Sequence, residues 1–91
     1  MDVQFSGIKL DDVEKYLVNA LSDKFCKGCL GLEALHIDIK QHKKAGDRST
    51  YTTHLRAELG KGNVKTAEVT DWDFAKSVRT AFKKLGKELA K

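Results

Sequence analysis

Apolar and polar positions alternate in four stretches of this chain and recur with helical spacing in two. Val3 and Phe5 alternate with Asp2, Gln4 and Ser6, the pattern of a short strand with one buried face. Asp11 can cap a helix, and Glu14, three residues on, can close a capping box. Val13, Leu17, Ala20, Leu21 and Phe25, with Tyr16 alongside, then mark an amphipathic helix to about Phe25. Cys26-Lys27-Gly28-Cys29-Leu30-Gly31 breaks it, with Gly28 or Gly31 suited to a left-handed C-terminal residue. Leu35, Ile37 and Ile39 alternate with His36, Asp38 and Lys40 in a second strand. The polar run KQHKKAGDRST reads as a long hairpin connection around Ala45-Gly46-Asp47. Tyr51, Thr53, Leu55, Ala57 and Leu59 share one face of a third strand; Thr52, His54, Arg56 and Glu58 share the other. Gly60-Lys61-Gly62-Asn63 is a tight turn, since Gly and Asn accept the positive φ that hairpins need. Val64 to Val69 form a weakly alternating fourth strand, and Thr70 can cap a final helix with Asp73 at its third position.

That last helix, Thr70 to Lys91, carries two stripes. Trp72, Ala75, Val78, Phe82, Leu85 and Leu89 recur at steps of three and four and want a core. Lys76, Arg79, Lys83 and Lys87 recur at similar steps, with Lys84 and Lys91 on their flank. At about 100° per residue the two stripes lie roughly 150° apart, with Asp73 and Glu88 beside the basic one. The order is β-α-β-β-β-α, and two apolar helix faces with one apolar sheet face predict a two-layer α+β sandwich: a four-stranded sheet with two helices on one face. Residues 1–91 read as a single domain, without proline, low-complexity tract, linker or internal repeat.

Charge changes the picture modestly. Seventeen Lys and Arg against 13 Asp and Glu give +4 and a pI near 9.1. That balance favours polyanion partners such as nucleic acid or an anionic surface. No apolar run is long enough to span a membrane. MDVQFSGIKL lacks the basic start and long apolar core of a secretory signal, and two cysteines are too few for a disulfide scaffold, so a cytoplasmic protein is expected. The candidate phosphate-contacting set is Lys76, Arg79, Lys83, Lys84 and Lys87 on the last helix, with Lys40, Lys43, Lys44 and Arg48 in the hairpin connection. Any one of these lysines alone reads as a solubilising group; the set reads as an RNA surface. His36, His54 and Arg56, on outward strand faces, fit RNA contact and plain solvation equally well. Trp72 could stack on a base, but in phase with Val78 and Phe82 it reads as a core edge.

Cys26-x-x-Cys29 is the sharpest local motif. A redox CxxC opens a helix, where the dipole lowers the thiol pKa; this one follows a helix, whose negative end raises it. A tetrahedral zinc site needs two more ligands, and His36, His42 and His54 are not paired at ligand spacing. A structural or incidental pair is the favoured reading, a metal half-site the next, and no cofactor is expected. The chain has no nucleophile elbow, no phosphate-cradling glycine loop and no HExxH, and Asp11-Asp12 is explained by capping, so catalysis is not expected.

From Ala34 onward, ALHIDIKQHKK, TTHLRAELGKGNVKTAEVTDWDFAKSV and KKLGKELAK resemble the hibernation-promoting factor and ribosome-associated inhibitor family, the ribosomal subunit interface proteins, in their short form. Members run strand, helix, three-strand meander and C-terminal helix. They end in a Lys-Leu pair followed four residues later by Leu, as Lys84-Leu85 and Leu89 do here, and their last strand commonly carries a Thr-Ala-Glu such as Thr66-Ala67-Glu68. The likeness covers the whole chain in element order but only scattered residues in identity. It departs at Asp71-Trp72-Asp73-Phe74-Ala75, where Trp stands between the acids and Phe replaces the usual Tyr, and at the two cysteines. The resemblance implies a non-catalytic protein, monomeric off the ribosome, that binds the small ribosomal subunit and its rRNA under stress. It would lie in the channel used by mRNA and tRNA, blocking initiation and favouring idle, hibernating ribosomes. Two alternatives stand beside it: a double-stranded-RNA-binding domain, whose helix-strand-strand-strand-helix order is embedded here, and a metal- or thiol-dependent interaction module built on Cys26 and Cys29.

Overall fold

The computed structural model describes residues 2–29, 31–44 and 46–89. Leu30 and Ala45, assigned above to connections, and Lys91, on the flank of the basic stripe, lie outside the described residues. The elements are β1 (Asp2–Gly7), α1 (Asp12–Gly28), β2 (Leu32–Lys43), β3 (Ser49–Leu59), β4 (Val64–Asp71) and α2 (Phe74–Leu89). The sheet order is β1-β2-β3-β4, with β1 parallel to β2 and the other pairs antiparallel. Parallel pairing of β1 with β2 requires a crossover, and α1 supplies it. Both helices contribute to one core against the same sheet face, as the α+β sandwich predicts.

The centre of that core is Leu35, Ile37 and Ile39 of β2, Leu55 and Ala57 of β3, and Val78, Ala81 and Leu85 of α2, all 0–1% exposed. A polar latch sits among them. The Ser77 hydroxyl lies 2.9 Å from the Thr53 hydroxyl, 2.9 Å from the Tyr51 carbonyl oxygen and 3.2 Å from that of Val69. It joins α2 to β3 and β4 at once, and neither Ser77 nor Thr53 is exposed.

Several boundaries and faces differ from the sequence pattern. α1 begins as expected, with Asp11 Oδ1 accepting from the Glu14 amide and Glu14 Oε1 from the Asp11 amide. It runs on to Gly28, so Cys26 lies within the helix and Cys29 caps it, while Gly31 alone of the two candidate glycines takes a positive φ, 83°. Its buried residues are Val18 and Ser22, whereas Val13 and Tyr16 are 78% and 77% exposed. The sequence stripe was too wide: α1 lies over the sheet on its 18–22–25 side, so positions near 13, 16 and 20 turn outward at about 100° per residue. Val3 and Phe5 stand on the core-side face opposite Leu35 and Ile37, yet remain 46% and 42% exposed, because β1 is an edge strand that α1 only partly covers. β1 ends at Gly7, whose φ of 109° is closed to other residues and where a Cβ would collide with the Ile39 carbonyl oxygen.

β2 and β3 pair from Leu32 to Lys43, so most of the expected long connection is strand, β2 ending at Lys43 and β3 beginning at Ser49. At about 3.3 Å per residue, the 12 residues of β2 reach about 40 Å, most of the molecule's 46 Å length. In the second hairpin the positive φ falls on Lys61 (67°) and Gly62 (75°), not on Asn63. β4 continues to Asp71, which pairs with Tyr51, and Thr70 hydrogen-bonds Thr52 through their hydroxyls at 2.8 Å instead of capping α2. With Thr70 as its cap the helix would begin at Asp71; it begins three residues later, at Phe74. The Ser77 amide donates to the Asp73 carbonyl oxygen and the Asp73 amide to the Asp71 carboxylate, at 3.0 Å each. Phe74, 8% exposed, therefore takes the core place assigned to Trp72, which is 50% exposed.

Candidate nucleic-acid interface

α2 buries Phe74, Ser77, Val78, Ala81, Phe82 and Leu85, so the residues between them must face out. Lys76, Arg79, Lys83 and Lys87 are all exposed and run the length of the helix on the side away from the sheet. Arg79 and Lys83 lean towards α1, where with Lys24 they rim a groove of about 560 Å³ floored by Phe25, Phe82 and Leu89. Phe25 and Phe82 meet edge to face there at 5.7 Å. Lys84, on the flank of the row, lies on the side away from α1, and its Nζ donates to the Glu68 carbonyl oxygen of β4 at 3.3 Å.

The hairpin cations are divided by the pleat. Lys40, His42 and Lys43 belong to β2 rather than to a loop. Successive side chains of a strand point to opposite faces, so Lys40 shares the open sheet face with His36 and Asp38, and Lys43 shares the helix-side face with Ile39. Lys44 and Arg48 close the turn, the Lys44 amide donating to the Arg48 carbonyl oxygen at 2.8 Å. Lys40, Lys43, Lys44 and Arg48 are all exposed. The Arg48 guanidinium lies over the indole of Trp72, 4.3 Å from the ring centroid.

The open face of the sheet is charge-compensated. Glu58 Oε1 stands 3.5 Å from His36 Nε2 and 3.4 Å from Arg56 Nη2. At 3.5 Å the histidine contact is too long for a good hydrogen bond, and its Nε2 is enclosed without one. His54 stands in register between Asp38 and Glu68, and Asp38 accepts from the Ser6 hydroxyl at 3.0 Å. Acids and bases alternate across this face, whereas the outer side of α2 presents a row of cations.

Cys26 and Cys29 are not joined in a disulfide. The Cys26 thiol is pushed above its ordinary pKa by burial first, then by Asp23 and Cys29. The direction matches the sequence reading, with burial as the first cause. Among the described residues no three His, Cys, Asp or Glu side chains gather as a metal cage. Sequence reasoning missed Lys24, which shares a groove with Arg79 and Lys83. Its signal was present: it lies on the polar side of α1, but nothing local says which helix will stand beside that side.

This arrangement of elements occurs in solved structures. A ribosomal subunit interface protein from Coxiella burnetii has 17% sequence identity and a TM-score of 0.78 over 99% of this chain and 94% of that one. The N-terminal domain of Protein Y from Thermus thermophilus has 14% identity and a TM-score of 0.68, over 97% of this chain and 91% of that one. The resemblance read from the sequence thus holds at the level of fold. No family model matches the chain, and no curated protein matches it in sequence.

Proposed function

We propose that this chain is a non-catalytic, cytoplasmic RNA-binding protein that acts as one domain, associates with the small ribosomal subunit as a monomer, and restrains translation there. The observation that carries the reading is the row Lys76, Arg79, Lys83 and Lys87, exposed along α2 on a fold shared with a ribosomal subunit interface protein. Lys24 extends the row onto α1, and Lys43, Lys44 and Arg48 extend the charge along the β2–β3 arm. Cations on a rigid helix at one-turn spacing neutralise successive phosphates of structured RNA, which is read by shape and backbone more than by base edges. The compensated open face, with Glu58 beside His36 and Arg56, makes a poorer phosphate surface. Lys40 on that face and Lys84, tied to Glu68, stand at the margin of the interface. Asp71 and Asp73, just ahead of the first turn of α2, disfavour the helix-end phosphate contact of a double-stranded-RNA-binding domain. Among the described residues no helix is long and apolar enough to cross a membrane.

Cosedimentation with isolated small and large subunits tests this reading. Pelleting with small subunits at low salt, lost steeply as salt rises, is expected. Failure to pellet with small subunits at the lowest salt sinks it, and equal capture by a 20-base-pair RNA duplex free of ribosomes favours the duplex-binding alternative.

A further inference from the structure

Trp72 is the chain's one tryptophan, and half of it is open to water. An indole stabilises a fold chiefly by being buried, so its exposure here needs a reason. It is not required to anchor the junction between β4 and α2. Phe74, two residues on, is 8% exposed and meets Tyr51 edge to face at 5.7 Å. The Asp71 carboxylate turns the backbone by accepting the Asp73 amide. Arg48 roofs the indole at 4.3 Å. Such a cation–π contact at an exposed site contributes little to stability, and a clamp of the arm onto the helix start does not need a ring left half in water.

The surroundings of Trp72 suit a nucleic acid. It stands where the cations of the arm, Lys43, Lys44 and Arg48, give way to those of α2, beginning with Lys76. Of the nearby acids, Asp71 keeps its charge while accepting the Asp73 amide, and Asp73 and Asp47 are exposed, so those four cations outnumber the three acids by one. An aromatic ring flanked by lysines and stacked with a guanidinium is the chemistry that holds an unpaired base: the ring takes the π-face and the lysines take the adjoining phosphates. We propose that Trp72, held by Arg48, is a stacking platform for an unpaired nucleobase of RNA, one that does not discriminate among bases. The proposal rests on the RNA-binding reading above and adds to its phosphate contacts a base contact on this residue.

A single tryptophan makes the test site-specific. The probes are octanucleotides of uridine, of adenosine and of abasic ribose phosphate, with affinity read by anisotropy of an end label and stacking by Trp72 emission. The uridine and adenosine octamers should both quench the emission on binding, and the abasic octamer should bind without quenching. Trp72→Ala should weaken the uridine octamer about tenfold and leave the abasic octamer unchanged, and Trp72→Phe should recover part of the loss. Far-ultraviolet dichroism that matches the wild type keeps a folding defect out of the comparison. Octamers that bind without quenching, or as tightly to Trp72→Ala, overturn the platform and leave the RNA-binding reading standing. Binding to small subunits with no binding to any octamer likewise overturns the platform alone. No binding to octamers or subunits removes both.

Discussion

Ser77 has one hydroxyl proton and three oxygen neighbours, the Tyr51 and Val69 carbonyls and the Thr53 hydroxyl. It can donate to only one, so Thr53 donates to Ser77 while Ser77 donates to a carbonyl, and the chain of bonds is satisfied only with both hydroxyls present. Ser77→Ala should therefore destabilise the fold by about 1–3 kcal/mol, the cost of stranding Thr53 in the core. Denaturant melts would show it, and small-subunit binding at a temperature where the variant is folded should not change. Gly7→Ala should do more damage: the left-handed φ alone costs about 1–3 kcal/mol, and the new methyl meets the Ile39 carbonyl. Cys26 links stability to alkaline pH. Its thiol pKa in the fold is raised above the ordinary 9.0, so the folded state holds the proton longer than the unfolded chain. That contribution is complete below pH 9.0 and declines as pH rises through the ordinary value towards the raised one. Cys26→Ala should flatten the alkaline limb of a stability-versus-pH curve, and an unchanged limb would show that burial does not act on this thiol.

At the scale of elements, the two helices are held unequally. α2 buries six residues and is latched through Ser77, whereas α1 buries only Val18 and Ser22 and meets α2 mainly through Phe25 on Phe82. Amide exchange should accordingly open α1 well before α2, since local opening follows buried contact. Asp11→Ala, which removes the capping oxygen, should lower stability by about 1 kcal/mol and speed exchange in the first turn of α1. Equal protection of both helices would contradict this ranking. The same inequality explains what the sequence displayed and what it hid. The alternation of β2 and β3 was legible because Leu35, Ile37, Ile39, Leu55 and Ala57 are covered by helices along their whole row. The start of α2 was not. Phe74 stands one helical step before Val78 and Trp72 two, through Ala75, and the choice was made by β4 pairing on to Asp71, a contact between distant residues. Val3, Phe5 and Val13 carried apolar signals that failed for a related reason: how far α1 reaches over the sheet is a property of packing, and no window of sequence contains it.

At the scale of the molecule, a sheet with two helices on one face has two broad surfaces, and the chain charges them differently. The open sheet face mixes His36, Arg56 and His54 with Glu58, Asp38 and Glu68, and the helix side lines up Lys76, Arg79, Lys83 and Lys87. The helical row was legible from spacing alone. The division of the arm lysines between faces was not, because a run first read as a loop became strand and acquired its pleat. Affinity should therefore reside on the helix side, and the salt dependence of small-subunit binding by Lys83→Glu with Lys87→Glu, compared with wild type, tests that most directly. Both residues are exposed, so melting should be nearly unchanged. Binding at low salt should fall at least tenfold, and the slope of log affinity against log salt should lose about two units, one for each phosphate contact removed. Wild-type affinity and slope in the double variant would place the RNA elsewhere on the molecule and contradict the account.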